Sequence, residues 1–429
     1  MAAGVMSGSR SSSENARRVV ITGVGVIAAN GSDIDTFWRS IRDGRSAADF
    51  LTRFDVSGIP SKVGAEVRDF EPDTYMDHKT ARRLDRCLQF SIAAARLAAN
   101  DAKVDFTKMD PDRCGVAEGT SMSNNEAAYE TKHAFLQRGY RGVSISGIIS
   151  GAAGAGSGEV AHELGIKGHA VTICSSSASG NDAIGYALGM IRNEDLDVMI
   201  AGGAEAPIIE SAWGGLCASH VMTRRTDDPK RAMRPFDKAR DGFVLGEGAG
   251  YVVLEELTHA LGRGAKIYAE LVAHGRSCEA YHPLAPHPDG IGYYRAMEKA
   301  LKQAGIAREE VDYINAHGTA TPANDVVETR AINRFFGEHA KRLSVSSTKP
   351  VTGHLMGATG GLETVVCALA IHHAEIPMTA NLTEPDLECD LDYVAGNWRP
   401  YPLDVVLNLN SGFGGKNSCL VLRRYRPMS

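Results

Sequence analysis

The residues of this 429-residue chain that could do chemistry fall in three segments. The first runs Val171-Thr172-Ile173-Cys174-Ser175-Ser176-Ser177-Ala178-Ser179-Gly180 and leads from a strand into a helix. Ala183, Ile184, Ala187, Leu188 and Ile191 follow at helical spacing. Ser177 therefore falls near a helix N-terminus, where free N–H groups and the dipole favour negative charge. A nucleophile there gains a stabilised anion and an oxyanion hole. The plain alternative is a Ser-rich helix cap. The second segment, taken from Asn315 to Gly357, holds two histidines in separate stretches. His317 lies in Asn315-Ala316-His317-Gly318-Thr319-Ala320-Thr321-Pro322, and His354 in Lys349-Pro350-Val351-Thr352-Gly353-His354-Leu355-Met356-Gly357. Each follows a strand-like run and is flanked by glycine. One such histidine is usually a satisfied core residue. Two can polarise a thioester or carboxylate, or stabilise an enolate. Lys349 is placed to hold one of them by charge. The third segment, Asn410 to Asn417, alternates Gly around Phe413. It permits a tight turn carrying a hinged aromatic, or a turn with Phe413 as a core plug. His372 and His373 end an apolar helix, where compensation of its dipole suffices for them.

The elements that must position these residues repeat. Ala95–Asn100 followed by Asp112–Thr120 recurs as Ala300–Gly305 followed by Asp312–Thr319, each a helix, a linker and a buried strand ending in Gly-Thr. Leu196–Ile200 recurs as Leu403–Leu407. Both pairs are offset by about 200 residues, which argues for a duplicated α/β unit. Alternating strands and helices imply mixed, mainly parallel sheets covered by helices. The expected division is a tail at 1–18, a first half at 19–260 with the nucleophile position, and a second half at 261–429 with both histidines. No Pro- or Ser-rich linker separates the halves, so one core is expected.

Composition excludes several classes. Hydrophobic residues make up 43% and charged residues 23%, so the chain is globular rather than disordered. A net charge of −6 argues against nucleic acid as a general partner. No apolar run reaches the roughly 18 residues of a membrane-spanning helix. Met1 to Arg18 is rich in Ser and Gly, reads as a disordered tail, and has no signal-peptide core. None of the eight cysteines forms a C-x-x-C pair, so neither zinc nor dithiol chemistry is supported and reduced thiols in the cytoplasm are expected. Gly23-Val24-Gly25 follows strand residues but lacks the third glycine of a dinucleotide fingerprint.

From Val19 to Arg424 the chain resembles the β-ketoacyl-[acyl carrier protein] synthases of the elongating, decarboxylative kind. The motifs are the Ser177-Ala178-Ser179-Gly180 segment, Ala201-Gly202-Gly203, Arg234-Pro235-Phe236-Asp237 and Asp241-Gly242-Phe243-Val244-Leu245-Gly246-Glu247-Gly248, together with the His317, His354 and Phe413 loops. The resemblance implies a thiolase-like α-β-α-β-α duplication that dimerises. It assigns His317 and His354 to decarboxylation of malonyl carrier protein and to condensation, with Lys349 in support. It gives Thr319 and Thr321 to the phosphopantetheine arm, Phe413 to gating and its N–H to the oxyanion hole, and Glu363 to a buried supporting acid. Trp213, Leu216 and Met222 fall where the family lines its acyl tunnel. Arg82, Arg83 and Arg86 fall where it meets the acidic carrier protein. No metal or directly bound cofactor is implied, only phosphopantetheine on the carrier.

The main departure is at the nucleophile. The family uses Cys where this chain has Ser177, by count from Ala201-Gly202-Gly203 and from Ile184-Gly185. A helix dipole readily yields a thiolate, whereas a serine hydroxyl normally needs an adjacent base. Slow or absent acyl transfer with malonyl decarboxylation retained is the expectation, whether the serine is natural or a laboratory replacement. Ser411 and Lys416 also depart from the usual Phe and Thr, a pattern closer to aromatic-polyketide synthases. An alternative is a non-condensing, chain-length-type partner subunit in a ketosynthase heterodimer; retention of His317, His354 and Lys349 argues against it. A thiolase would need a second reactive cysteine, for which Cys419 is a poor candidate.

Overall fold

The computed structural model describes residues 17–123 and 125–427. Of the tail expected at 1–18, residues 1–16 lie outside the described residues. Arg17 and Arg18 do not belong to a tail: they pair with Asp197 at 2.8 Å and Glu270 at 2.9 Å.

Ten strands form the main sheet: β1 (Val19–Ala28), β2 (Cys114–Gly119), β3 (His169–Ile173), β4 (Val198–Glu205), β5 (Gly248–Glu256), β6 (Ala269–Cys278), β7 (Tyr313–Asn315), β8 (Ser344–Ser346), β9 (Val405–Gly412) and β10 (Lys416–Arg423). Their order is β8-β7-β9-β10-β6-β1-β5-β4-β2-β3. Read outward from the centre, the two sides repeat one another: β2 and β7 occupy equivalent places, as do β4 and β9. These are the strands paired by the sequence repeat. Within the main sheet the two sets of strands meet where Val19–Ile21 of β1 pairs antiparallel with Ala269–Leu271 of β6. Beyond that short joint β1 continues along β5 alone.

Helices fill the layers around the two sets of strands. Helix α1 (Arg86–Ala102) lies on the outer face of the first set. There Gly23 and Gly25 matter: a Cβ on Gly25 would meet Ala94 O at 2.1 Å, and one on Gly23 would meet Ala98 O at 2.3 Å. The G-x-G pair thus lets an Ala-rich helix approach a strand. Helices α2 (Asn125–Arg138), α3 (Ile145–Ser150) and α4 (Ala155–Leu164) follow. Helix α5 (Ser179–Arg192) packs on β2 and β4 and against the last long helix, α9 (Thr359–His373), which packs on β5 and β9. Helix α9 is buried on every side from Thr359 to Ile371, as expected of an apolar helix in a central layer. Only His372 and His373, at its C-terminal end, reach solvent. Helix α6 (Glu210–Ala218) belongs to a side cluster, and α7 (Ile291–Ala304) and α8 (Pro322–Phe336) cover the outer face of the second set. The result is the five-layered, thiolase-like duplication.

Candidate active site

Ser177 sits in the turn between β3 and α5 and is 4% exposed. The turn is tight: Ser176 adopts φ +60°, a left-handed conformation costly for a residue with a Cβ. Side chains hold it there. Ser179 Oγ accepts from Ser175 N at 2.8 Å and donates to Ser176 O at 2.5 Å. Ser175 Oγ donates to Asp182 Oδ2 at 2.6 Å, and Asp182 Oδ1 lies 3.0 Å from His274 Nε2. The end of β9 closes over the turn. A Cβ on Gly412 would lie 2.7 Å from Ser177 N, so only glycine fits, and Phe413 follows at once.

Buried carboxylates anchor the histidine loops. Glu328 on α8 accepts from the backbone N–H of His317 at 2.7 Å and of Gly318 at 2.8 Å. One turn earlier, Asp325 accepts from Ala320 N at 3.2 Å and Phe236 N at 2.8 Å. Burial raises Glu328 to about 7. His354 is fixed by its own backbone, donating to Val244 O at 2.8 Å, while Gly246 N donates to His354 O at 3.0 Å. Glu205 gathers the N–H groups of Ser121, Met122, Ser123 and Gly357, so one carboxylate binds the loop after β2 to the loop after His354.

The two imidazoles meet edge to face, 5.5 Å between centroids, and Phe243 packs edge-on against His354 at 5.1 Å. His354 Nε2 lies 3.1 Å from Ser177 Oγ, and its Nδ1 lies 3.0 Å from Thr359 Oγ1. His317 Nδ1 is buried with no partner among the described residues. Lys349 Nζ donates to Glu363 Oε1 at 2.7 Å, and Asn410 Nδ2 to Glu363 Oε2 at 2.9 Å. Burial holds both histidines well below the usual imidazole range, and the nearby Lys349 charge lowers them further. Burial raises Glu363, opposed by the Lys349 charge. Both rings are therefore neutral at pH 7, each with one N–H to donate and one nitrogen to accept. That state suits donors to a thioester oxygen and leaves one ring able to take a proton.

A cavity of about 320 Å³ opens onto these groups. Ser177, His317, His354, Thr319, Thr321 and Phe413 all line it, with Val221, Phe243, Leu284, Pro286 and Met356 supplying apolar wall. The two threonine hydroxyls are 3.1 Å apart. Trp213, Leu216 and Met222 do not line this cavity; they are buried in the apolar cluster behind Phe243 and Met356, where Trp213 Nε1 donates to Ser61 O. The arginines also divide. Arg86 pairs with the buried Glu247 at 2.7 Å and donates to Val67 O, so it is spent inside the fold, while the half-buried Arg83 grips Glu159 at 2.6 Å and lines the same groove as Arg82. Arg82 is exposed, but it lines a groove with α2 and α3 rather than the cavity. Next to the cavity, Arg224 lies 2.7 Å from the lining His220, and its chain neighbour Arg225 donates to Ala239 O. The Arg-Arg pair after Met222-Thr223 was the signal for them. Asp325 and Glu328 were signalled by acids at helical spacing directly after Thr321-Pro322. Thr359 has no sequence signal apart from lying five residues beyond His354.

A thiolase-like duplication whose two halves deliver a nucleophile turn and a pair of neutral histidines to one apolar cavity defines an acyltransferase. Residues 16–260 match the family described as Beta-ketoacyl synthase, N-terminal domain, and residues 268–383 match Beta-ketoacyl synthase, C-terminal domain. A curated relative from Synechocystis sp., 3-oxoacyl-[acyl-carrier-protein] synthase 2, is 44% identical over 410 residues, covering 96% of this chain and 99% of its own length. Among solved structures, the ishigamide ketosynthase/chain length factor is 36% identical with a TM-score of 0.89, covering 96% of this chain and all of its own. A type II polyketide ketosynthase, solved with its acyl-carrier protein and bound to the hexaketide, is 32% identical with the same TM-score and coverage. The chain belongs to the beta-ketoacyl synthase family, the elongating enzymes of fatty-acid or polyketide synthesis.

Proposed function

We propose that this protein carries the decarboxylative Claisen machinery for joining an acyl group to malonyl-[acyl carrier protein], with acyl transfer slowed by Ser177 in the nucleophile position. The observation that supports this most is the meeting of Ser177, His354 and His317 in one cavity, with Lys349 and Glu363 neutralising one another behind it. The arm of an incoming acyl carrier would lie along Thr319 and Thr321, and its thioester carbonyl would meet Ser177 Oγ. Backbone N–H groups of Ser177 and Phe413 are suited to the developing oxyanion. Ser177 gives its proton to His354 Nε2, the C–S bond breaks, and the departing thiol takes that proton. For the malonyl thioester, His317 and His354 donate to the carbonyl oxygen, His354 in its Nε2–H tautomer with the Thr359 hydroxyl then donating to Nδ1. The bond to the carboxylate breaks, CO₂ leaves, and the electron pair forms an enolate whose carbon bonds to the acyl carbon; the bond from that carbon to Ser177 Oγ breaks, and Oγ becomes a hydroxyl again with a solvent proton delivered through His354 Nε2. No step needs a metal or a bound cofactor; phosphopantetheine arrives on the carrier.

The serine sets the rates. Its hydroxyl is a poorer nucleophile than a thiolate, and an acyl oxyester is a poorer electrophile than a thioester. Decarboxylation requires neither, so it is retained. The carrier protein docks by its acidic surface at Arg224 and Arg225. A second ketosynthase-like chain covers α2 and α3, where Phe135, Leu136, Tyr140, Ile145, Ile148 and Ile149 are exposed next to the unpaired edge strand β3. That partner is a second copy or a related subunit, and the protein works in the cytoplasm. No described helix is long and apolar enough to cross a membrane. The purely chain-length role is disfavoured by the intact His317, His354 and Lys349 cluster. Incubation with malonyl carrier protein labelled in the free carboxylate tests the reading. Release of labelled CO₂ is expected, and its absence would refute it.

A further inference from the structure

We infer that Thr359 is a positioning residue that turns His354 into the general base of Ser177. The inference rests on the proposed function in taking Ser177 as the attacking group. Thr359 is the first residue of α9, 2% exposed, and its Oγ1 lies 3.0 Å from His354 Nδ1. That hydroxyl has no other hydrogen-bond partner among the described residues. On the opposite side of the ring, Nε2 faces Ser177 Oγ at 3.1 Å. Serine, imidazole and threonine thus stand in line, with every member buried.

A base must present an unprotonated Nε2 to the serine, which puts the ring proton on Nδ1. Thr359 Oγ1 is the acceptor that receives it. During attack the Ser177 O–H bond breaks and its proton moves to Nε2, while Oγ bonds to the acyl carbon. The imidazolium then keeps its Nδ1–H bonded to Thr359 and returns the Nε2 proton to the leaving sulfur. A hydroxyl supports that cation through a dipole rather than a full charge. The relay is accordingly weaker than one ending in a carboxylate, consistent with slow rather than absent acyl transfer. Thr359 also separates the two histidines in role. His317 has no such partner at Nδ1 and is left to the substrate.

A fluorophosphonate probe tests this without any carrier protein, since it reports serine activation directly. Ser177 Oγ bonds to phosphorus, fluoride leaves, and the serine proton goes to His354. Labelling at Ser177, located by peptide mass spectrometry, is followed for the parent, Thr359→Val, Thr359→Ala and Thr359→Ser. The expected result is labelling of the parent, a loss of roughly tenfold in Thr359→Val and Thr359→Ala, and near-parent rates in Thr359→Ser. A merely structural threonine would not be rescued by serine alone. Equal rates in the variants lacking the hydroxyl, or no labelling of Ser177 in the parent, would overturn the proposal. Release of CO₂ from malonyl carrier protein is measured in parallel on the parent. Its loss with Thr359-dependent labelling intact would count against the condensing function and leave the relay standing.

Discussion

Ser177 Oγ and His354 Nε2 lie 3.1 Å apart although 177 positions separate them in sequence, and neither side chain reaches bulk solvent. The contact crosses from one half of the duplicated fold to the other. It explains why each half needs a buried carboxylate, Glu205 in the first and Glu328 in the second, to pin its share of the site.

If the paired imidazoles act as donors to the malonyl thioester, removing either should cripple CO₂ release. His317→Ala and His354→Ala should each lower that rate by about 10²–10³, the usual loss for one preorganised donor. Ser177→Ala should leave it within a few-fold of the parent. A Ser177→Ala variant as impaired as the histidine variants would mean that decarboxylation depends on prior acylation.

The Lys349–Glu363 pair predicts an asymmetry in stability. Glu363→Gln strands an ammonium in a site closed to solvent and should cost about 3–5 kcal/mol by denaturant unfolding. Lys349→Met leaves a carboxyl already biased by burial towards its protonated form, so it should cost clearly less. Equal losses would show that the Glu363 carboxyl cannot escape its charge.

The histidines also carry a pH signature. Their folded-state values are depressed below the unfolded one near 6.5. Below that pH the unfolded chain binds protons that the folded chain refuses, so stability contributed at neutral pH is lost as pH falls. Glu328 and Glu118, both raised to about 7 by burial, act in the opposite sense between pH 4.5 and 7. The comparison that isolates the histidines is parent against His317→Gln/His354→Gln. The parent should lose ground to the variant as pH drops from 7 to 5. A difference independent of pH would mean that the rings are not depressed.

Carrier docking separates two sets of arginines. Arg224→Glu combined with Arg225→Glu should raise KM for a malonyl carrier protein about tenfold or more and leave a small pantetheine thioester unaffected. Arg86→Glu should act on stability instead, because its partner Glu247 is buried. Equal effects of Arg224/Arg225 changes on both substrates would place the docking surface elsewhere.

Much of this was legible in the sequence, and the failures have physical causes. The repeat could be read because paired strands such as Cys114–Gly119 and Tyr313–Asn315 occupy equivalent, buried places and carry the same pattern of residue types. Ser177, His317, His354 and Phe413 could be read because each stands beside a turn that only glycine or a strained backbone can make. Pocket and surface assignments depend on which way side chains face, and local pattern does not encode that. Trp213 faces the Ser61 carbonyl rather than the cavity, and Arg86 faces Glu247 rather than solvent. Thr359 escaped notice because a threonine at the start of an apolar helix looks like a cap until the ring of His354 is seen beside it.

The most direct test compares this chain with its Ser177→Cys variant by intact-protein mass spectrometry. Each is incubated with an acyl carrier substrate and then with malonyl carrier protein. The expected result is slow, single-site acylation of the parent at Ser177, and rapid acylation of the Cys form followed by release of the group on adding malonyl carrier. If neither form takes an acyl group, Ser177 does not mark the nucleophile position and the catalytic assignment is wrong.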